Sequence, residues 1–285
     1  MRYSFAKEYE NCKVIAEETV KCIRQGYYFV DDVKVELPDE ADFKKVICIN
    51  PSQSDDILLD FIEDSVEALV PPLAGRIRIV SEDAFAAAKD IEACLVMNFA
   101  NAYHAGGCFL AGGDAQEEAL CRGSTLYASI GSEQAAEMYL FNRKHKLPME
   151  SDYMLISPEV CVFRDRGDYF LSKPFMTSVV TIPAPDLYWA AEGIPMYKID
   201  QCMLMRIEKM LAVAMKYGYK SLVLGAWGCG AFGHDAGRVA GYFYELLVKR
   251  GYRKYFEQII FAIIGEAGEG KRIKFQNVFG DVIEK

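Results

Sequence analysis

The chain has 285 residues, 52% hydrophobic and 26% charged, enough apolar material for a substantial core in one large or two small domains. Its formal net charge of -9 disfavours nonspecific attraction to a nucleic acid backbone, so direct DNA binding is not expected. A small anion can still be held by local backbone amides.

Residues 1–75 read as a helical accessory region and residues 76–285 as the main domain, with one compact unit as the alternative. In AKEYENCKVIAEETVKCIRQGYY, Val14, Ile15, Val20 and Ile23 recur at helical spacing, and Gly26 is a stop signal. Residues 46–49 predict a short strand before Pro51, and residues 55–70 an amphipathic helix. RIRIV at 76–80 is a strand, with Ser81 as N-cap of a helix over 82–89. Residues 95–99 form an apolar strand leading into a glycine-rich turn, and a helix is expected over 116–130. The stretch 139–157 is polar and reads as an irregular connection. Residues 160–163 and 178–182 are strands, the second ended by Pro183 and Pro185. A helix over 199–217 places Ile199, Met203, Ile207, Met210, Leu211 and Ala214 on one core-facing stripe. A strand at 221–224, a helix over 236–250, a strand at 258–264 and a short C-terminal helix complete the chain. Strands alternating with helices, several of them continuously apolar, predict an α/β fold with a mixed, largely parallel central sheet flanked by helices.

Nine cysteines, an odd number without any C-x-x-C pair, indicate a reducing, cytoplasmic setting; Cys94, Cys121 and Cys161 read as small core residues. The N-terminal sequence has no signal-like apolar run, and no segment approaches the ~20 apolar residues of a membrane span. Three histidines without a cysteine–histidine cluster argue against a structural zinc site. No metal and no cofactor are expected.

The most informative stretch is residues 98–127, NFANAYHAGGCFLAGGDAQEEALCRGSTLY. Gly106, Gly107, Gly112 and Gly113 permit positive φ and close approach of a ligand to the backbone. Glu117 and Glu118 then open a helix beside them. Two acids in a helix first turn are ordinary by themselves, because the helix dipole favours them there. Next to a glycine cradle they suit a phosphorylated sugar that is bound tightly and cleaved by proton transfer.

A second glycine loop, Gly228-Cys229-Gly230-Ala231-Phe232-Gly233, matches G-x-G-x-x-G after a strand and before a helix. Its amides suit phosphate oxygens, the alternative being a tight turn without a ligand. A nicotinamide-binding fold fits poorly. The loop lies near the C-terminus, Trp227 and Phe232 are bulky, and no acidic residue ends the next strand. ADP-ribose, half of that cofactor, remains a good ligand. His234 and Asp235 read as caps of the following helix.

Together, NFANAYHAGGC, AQEEALCR and GAWGCGAFGHDA resemble the microbial-type poly(ADP-ribose) glycohydrolases, macrodomain enzymes that remove ADP-ribose from polymer ends. IAEETVKCIRQGYY, ISPEVCVFRD and VTIPAP extend the similarity over nearly the whole chain. The resemblance implies a substrate that is an ADP-ribosyl group on a protein or at a polymer end, attacked in exo fashion. It implies Glu118 as the acid that protonates the departing ribose oxygen, and Glu117 as the residue gripping the hydroxyls of the released ribose. Asn101 would orient that sugar, Gly106 and Gly107 line the cleft, and Gln116 complete the Gln-Glu-Glu loop. Gly228 to Gly233, with Cys229, Gly230 and Ala231, would wrap the diphosphate, with Phe232 packing on the ligand. Phe275 is either an aromatic near adenine or, with Phe279, a packing residue.

The chain departs from the family pattern in one loop. The third glycine of the family's triple is Cys108, and the Ala-Arg common at 113 and 114 is Gly-Asp. A β-carbon at 108 would clash if that position has positive φ, or would narrow the sugar pocket. Glycosidic cleavage through an oxocarbenium-like state needs an acid at the leaving oxygen. A free glutamic acid, at about 4.3, is too acidic for that at neutral pH, and burial or the neighbouring carboxylate is expected to raise Glu118. Two other readings stand beside the hydrolase: a binding module that reads ADP-ribose without cleaving it, favoured by Cys108, and a hydrolase of another nucleoside diphosphate sugar.

Overall fold

The structure is a computed structural model that describes residues 2–67 and 72–284. In chain order the elements are α1 (Arg2–Gln25), β1 (Tyr27–Val30), β2 (Val33–Glu36), α2 (Glu40–Phe43), β3 (Ile47–Ile49), α3 (Pro51–Glu67), β4 (Arg76–Val80), α4 (Ala84–Ala88) and β5 (Cys94–Ala100). There follow α5 (Gln116–Gly123), α6 (Leu126–Ile130), α7 (Ala136–His145), β6 (Met154–Arg164), β7 (Phe170–Pro183), α8 (Met196–Lys216), β8 (Ser221–Leu224), α9 (Ala236–Tyr244), β9 (Gln258–Ala262) and α10 (Glu266–Phe279). Seven strands form one sheet in the order β3-β6-β7-β5-β8-β9-β4, while β1 and β2 form a separate antiparallel hairpin. The β5–β8, β8–β9 and β9–β4 pairings are parallel and β6–β7 is antiparallel, the mixed, mainly parallel sheet expected of this α/β chain. β5 and β8 are buried almost throughout, as strands covered on both faces must be. Among the described residues, no helix is long and apolar enough to cross a membrane.

Two compact units divide the chain. Unit 1 comprises Met1–Cys48, Asn98–His145 and Leu155–Ile182, and unit 2 comprises Ile49–Met97, Lys146–Met154 and Pro183–Lys285. They are interleaved along the sequence, so the expected boundary at residue 75 is replaced by several crossings. In unit 1, Cys22 and Ile23 of α1, Tyr28 of β1, and Leu37 and Phe43 pack with Cys161 and Phe163 of β6. Tyr28 stacks on Phe170 with ring centroids 4.7 Å apart and donates its hydroxyl to the Leu171 carbonyl at 2.6 Å. The N-terminal segment is therefore half of a core, not a peripheral addition. In unit 2, Phe261 of β9 meets Phe243 of α9 and Phe275 and Phe279 of α10. The stripe from Ile199 to Ala214 on α8 is fully buried, as its periodicity predicts. β4 is the last strand of its sheet, and Glu284 donates its backbone N–H to the Ile77 carbonyl at 2.9 Å, covering part of that edge.

Several local expectations are corrected. Asp83, not Ser81, caps α4, its carboxylate accepting the amides of Phe85 and Ala86. The helix expected over 116–130 breaks at Ser124, whose backbone is extended and whose hydroxyl donates to the Leu120 carbonyl at 2.7 Å. The stretch 139–157 contains most of α7 and the start of β6. The helix expected over 236–250 is α9 followed by a π-helical turn, Glu245–Lys249. Residues 68–70 of the helix expected over 55–70 lie outside the described residues.

Candidate active site

In unit 1, β5 ends at the glycine turn and α5 returns the acid pair to the same place. The two carboxylates are not solvated first-turn acids: Glu117 is 3% exposed and Glu118 8%. Glu117 is gripped at both oxygens, Oε1 accepting from Asn98 Nδ2 at 3.2 Å and Oε2 from the Asn101 N–H at 2.8 Å. Glu118 Oε1 accepts from the Cys108 N–H at 2.9 Å. Gly107, at φ +56°, carries this arrangement, because a β-carbon there would collide with Glu118 Oε1 and lie 3.2 Å from Glu117 Oε2. Gly106 is buried beside Tyr127 and Cys121. Gln116 accepts the Phe99 N–H at 2.9 Å and so locks the strand end to the helix start. Asn101 turns its Oδ1 onto the amides of Tyr103 and His104, at 2.8 and 2.9 Å.

Burial pushes the Glu117 carboxyl up to about 8, against the lowering effect of its bonds from the Asn101 amide, the Asn98 side chain and the Gly106 amide; the charge of Glu118 adds to the rise. Desolvation thus makes Glu117 a weak acid. Cys108 has φ -96° and ψ 22°, a conformation open to any residue, and its side chain is exposed. The feared clash of a positive-φ cysteine is absent.

The Gly228–Gly233 loop belongs to unit 2. Fully buried Trp227 anchors its root, and Cys229 is buried within it. Gly228 has φ +73°, and a β-carbon there would lie 2.6 Å from the His234 ring. His234 Nε2 donates to the Pro185 carbonyl at 2.7 Å, and burial pushes its imidazole below the usual range. It therefore braces the loop and does not cap α9; Asp235 does, accepting the Arg238 amide at 3.0 Å. Gly230 and Ala231 are exposed and Phe232 is half-buried. Among the described residues, the N–H groups of Gly230, Ala231 and Phe232 donate to no protein acceptor, which leaves three successive amides for an anion. Phe275 is fully buried against Phe261, so the packing alternative holds and the adenine-facing one does not.

Sequence reasoning missed three residues. Asn98 also donates to Thr181 Oγ1 at 3.1 Å, and both side chains are fully buried. Arg122, buried on α5, donates Nη1 to the Gly113 carbonyl at 2.7 Å and pairs with Asp114 and Asp168. A polar residue inside an otherwise apolar strand was the available signal for Asn98 and Thr181. Arg122 offered none, since a helix arginine is usually solvated.

Residues 16–165 match the family described as microbial-type PARG, catalytic domain, where PARG is poly(ADP-ribose) glycohydrolase. The chain belongs to this family. A search of curated proteins gave no match. Among solved structures, poly(ADP-ribose) glycohydrolase from Thermomonospora curvata is 32% identical, with a TM-score of 0.86 over 95% of this chain and 100% of the other. The same enzyme bound to the inhibitor ADP-HPD gives 31% and 0.84 over 94% and 99%. Poly(ADP-ribose) glycohydrolase from Deinococcus radiodurans in complex with ADP-ribose is 31% identical, with a TM-score of 0.77 over 88% of this chain and 100% of the other.

Proposed function

We propose that this protein is a poly(ADP-ribose) glycohydrolase that releases ADP-ribose from polymer ends and from ADP-ribosylated proteins. The observation that carries the proposal is the buried acid pair, with Glu118 Oε1 tethered to the Cys108 amide and Glu117 held at both oxygens. The tether leaves Glu118 Oε2 to carry a proton to the leaving ribose oxygen as the anomeric C–O bond breaks. Positive charge builds on the ribose, water attacks the anomeric carbon, and the same carboxylate takes the water's proton, which restores the acid. Glu117, neutral below about pH 8, donates to the hydroxyls of the released ribose, and Asn101 Nδ2 orients that sugar. Gly106, Gly107 and Cys108 line the sugar and diphosphate cleft. The amides of Gly230, Ala231 and Phe232 take diphosphate oxygens. Action from chain ends follows the family pattern. All nine cysteines are free thiols, which supports action in the reducing cytoplasm.

The test is incubation with ADP-ribosylated protein and with poly(ADP-ribose), reading free ADP-ribose by chromatography. Wild type releases it as the monomer, and Glu118→Gln loses about 10²-fold or more. Tight ADP-ribose binding with no release from either substrate would replace this function with that of a reader; oligomeric products would overturn the exo mode. The reader interpretation drew on Cys108, whose φ of -96° lifts the positive-φ clash and leaves a narrowed sugar pocket as its remaining support.

A further inference from the structure

The loop from 108 to 114 holds a steric lock around the acid. Gly113 is its centre. A β-carbon built there would lie 2.9 Å from Cys108 Cβ, 3.0 Å from Glu118 Cγ and 3.2 Å from the Cys108 carbonyl oxygen. The bare α-carbon of Gly113 therefore admits both the cysteine side chain and the stem of the acid. Residue 113 cannot retreat. Its carbonyl is held by buried Arg122 Nη1 at 2.7 Å, Asp114 is paired with the same guanidinium, and its own N–H donates to the Cys108 carbonyl at 2.9 Å. On the other side of the acid, the Cys108 amide fixes Glu118 Oε1.

From this we infer that Cys108 and Gly113 are an interdependent pair that positions the Glu118 carboxylate, the missing β-carbon at 113 being the space that the β-carbon at 108 requires. Gly113 is a positioning residue: it supplies no proton and no hydrogen bond to substrate. The inference rests on the proposed role of Glu118. The geometry makes the two positions compete for side-chain volume, so a side chain at 113 costs less when 108 gives its own up.

The test is a double-mutant cycle on the full chain: wild type, Gly113→Ala, Cys108→Gly and the double variant, with kcat and KM for ADP-ribose release and the thermal midpoint of each. An acid displaced by a few tenths of an ångström or more loses rate, and a 1 Å misplacement costs about 10²-fold. Gly113→Ala is expected to lower kcat by about 10-fold or more with KM changed less than about threefold. In the Cys108→Gly background the same substitution is expected to cost at least about fivefold less, the remaining loss coming from the contacts with Glu118 Cγ and the carbonyl of residue 108. The midpoints are expected to show coupling of the same sign. Wild-type kcat in Gly113→Ala, or an equal kcat loss in both backgrounds, would overturn the pairing. If wild type releases no ADP-ribose, the functional reading fails by itself, and the pairing is still decided by whether the midpoints couple.

Discussion

At the residue scale, Glu117 takes an unusual property from its surroundings. Glu117 lies where water does not reach, and its carboxyl rises from 4.5 to about 8. The folded state therefore holds a proton that the unfolded chain has released, and stability falls as pH rises from about 5 through 8. The contribution at stake is on the order of 3–5 kcal/mol. Thermal midpoints measured across that window should fall in wild type and fall less in Glu117→Gln, which keeps a neutral group at every pH. Parallel curves would show that Glu117 is ionised in the fold. Cys108 gives a second prediction, because it alone of the nine cysteines is exposed. Burial pushes the Cys161 and Cys229 thiols up to about 12 and Cys121 well above its usual value, leaving little reactive thiolate at neutral pH. Iodoacetamide should place its first adduct on Cys108 and abolish ADP-ribose release, with bound ADP-ribose slowing the reaction. An adduct at Cys108 with full activity would place the thiol away from the sugar path.

At the element scale, helix α5 is held from outside the glycine turn. Thr19, buried on α1, donates its hydroxyl to the Arg122 carbonyl at 2.8 Å, near the end of α5. Arg164 Nε reaches Thr19 Oγ1 at 3.3 Å and Arg164 Nη2 pairs with Glu18 at 2.6 Å. Thr19→Val keeps the shape and strands the Arg122 carbonyl, so chemical denaturation should show a loss of about 1–3 kcal/mol. A loss below about 0.5 kcal/mol would show that α1 does not brace α5. Such long-range links explain what the sequence made legible and what it did not. The strands 95–99 and 221–224 and the helix over 199–217 declare themselves by largely apolar runs or by a clean stripe, because neighbours cover them, and 76–80 does so by alternation. The β1–β2 hairpin escaped notice. Its turn is Asp31-Asp32, both with positive φ, in place of the asparagine–glycine pair that marks such turns. α7 was hidden by a basic, polar surface, and its buried Met138, Tyr139 and Asn142 are too few to give a stripe. At the site, Glu117, Glu118 and the glycines were legible as a motif. The burial of the pair was not, since the surroundings of Glu117 depend on Asn98, which pairs with Thr181 across 83 residues of sequence.

At the scale of the whole molecule, 41 acidic against 32 basic side chains give a protein that repels its proposed polyanionic substrate at long range. Raising salt from about 20 to 200 mM should therefore maintain or improve kcat/KM on poly(ADP-ribose), whereas phosphate-backbone binders lose about 10³–10⁵ in affinity over a comparable range. A steep loss with salt would reveal a basic track for the polymer. Recognition would then rest on short-range groups, such as the unpaired amides of the 230–232 loop. The placement of the two tryptophans makes that loop observable. Trp189 is 83% exposed, whereas Trp227, one residue before the glycine loop, is fully buried. Their emission should differ in wavelength and in access to a soluble quencher. With Trp189→Phe silencing the solvated indole, the protein carries its own optical reporter at the root of the loop, able to register nucleotide arrival without any attached dye.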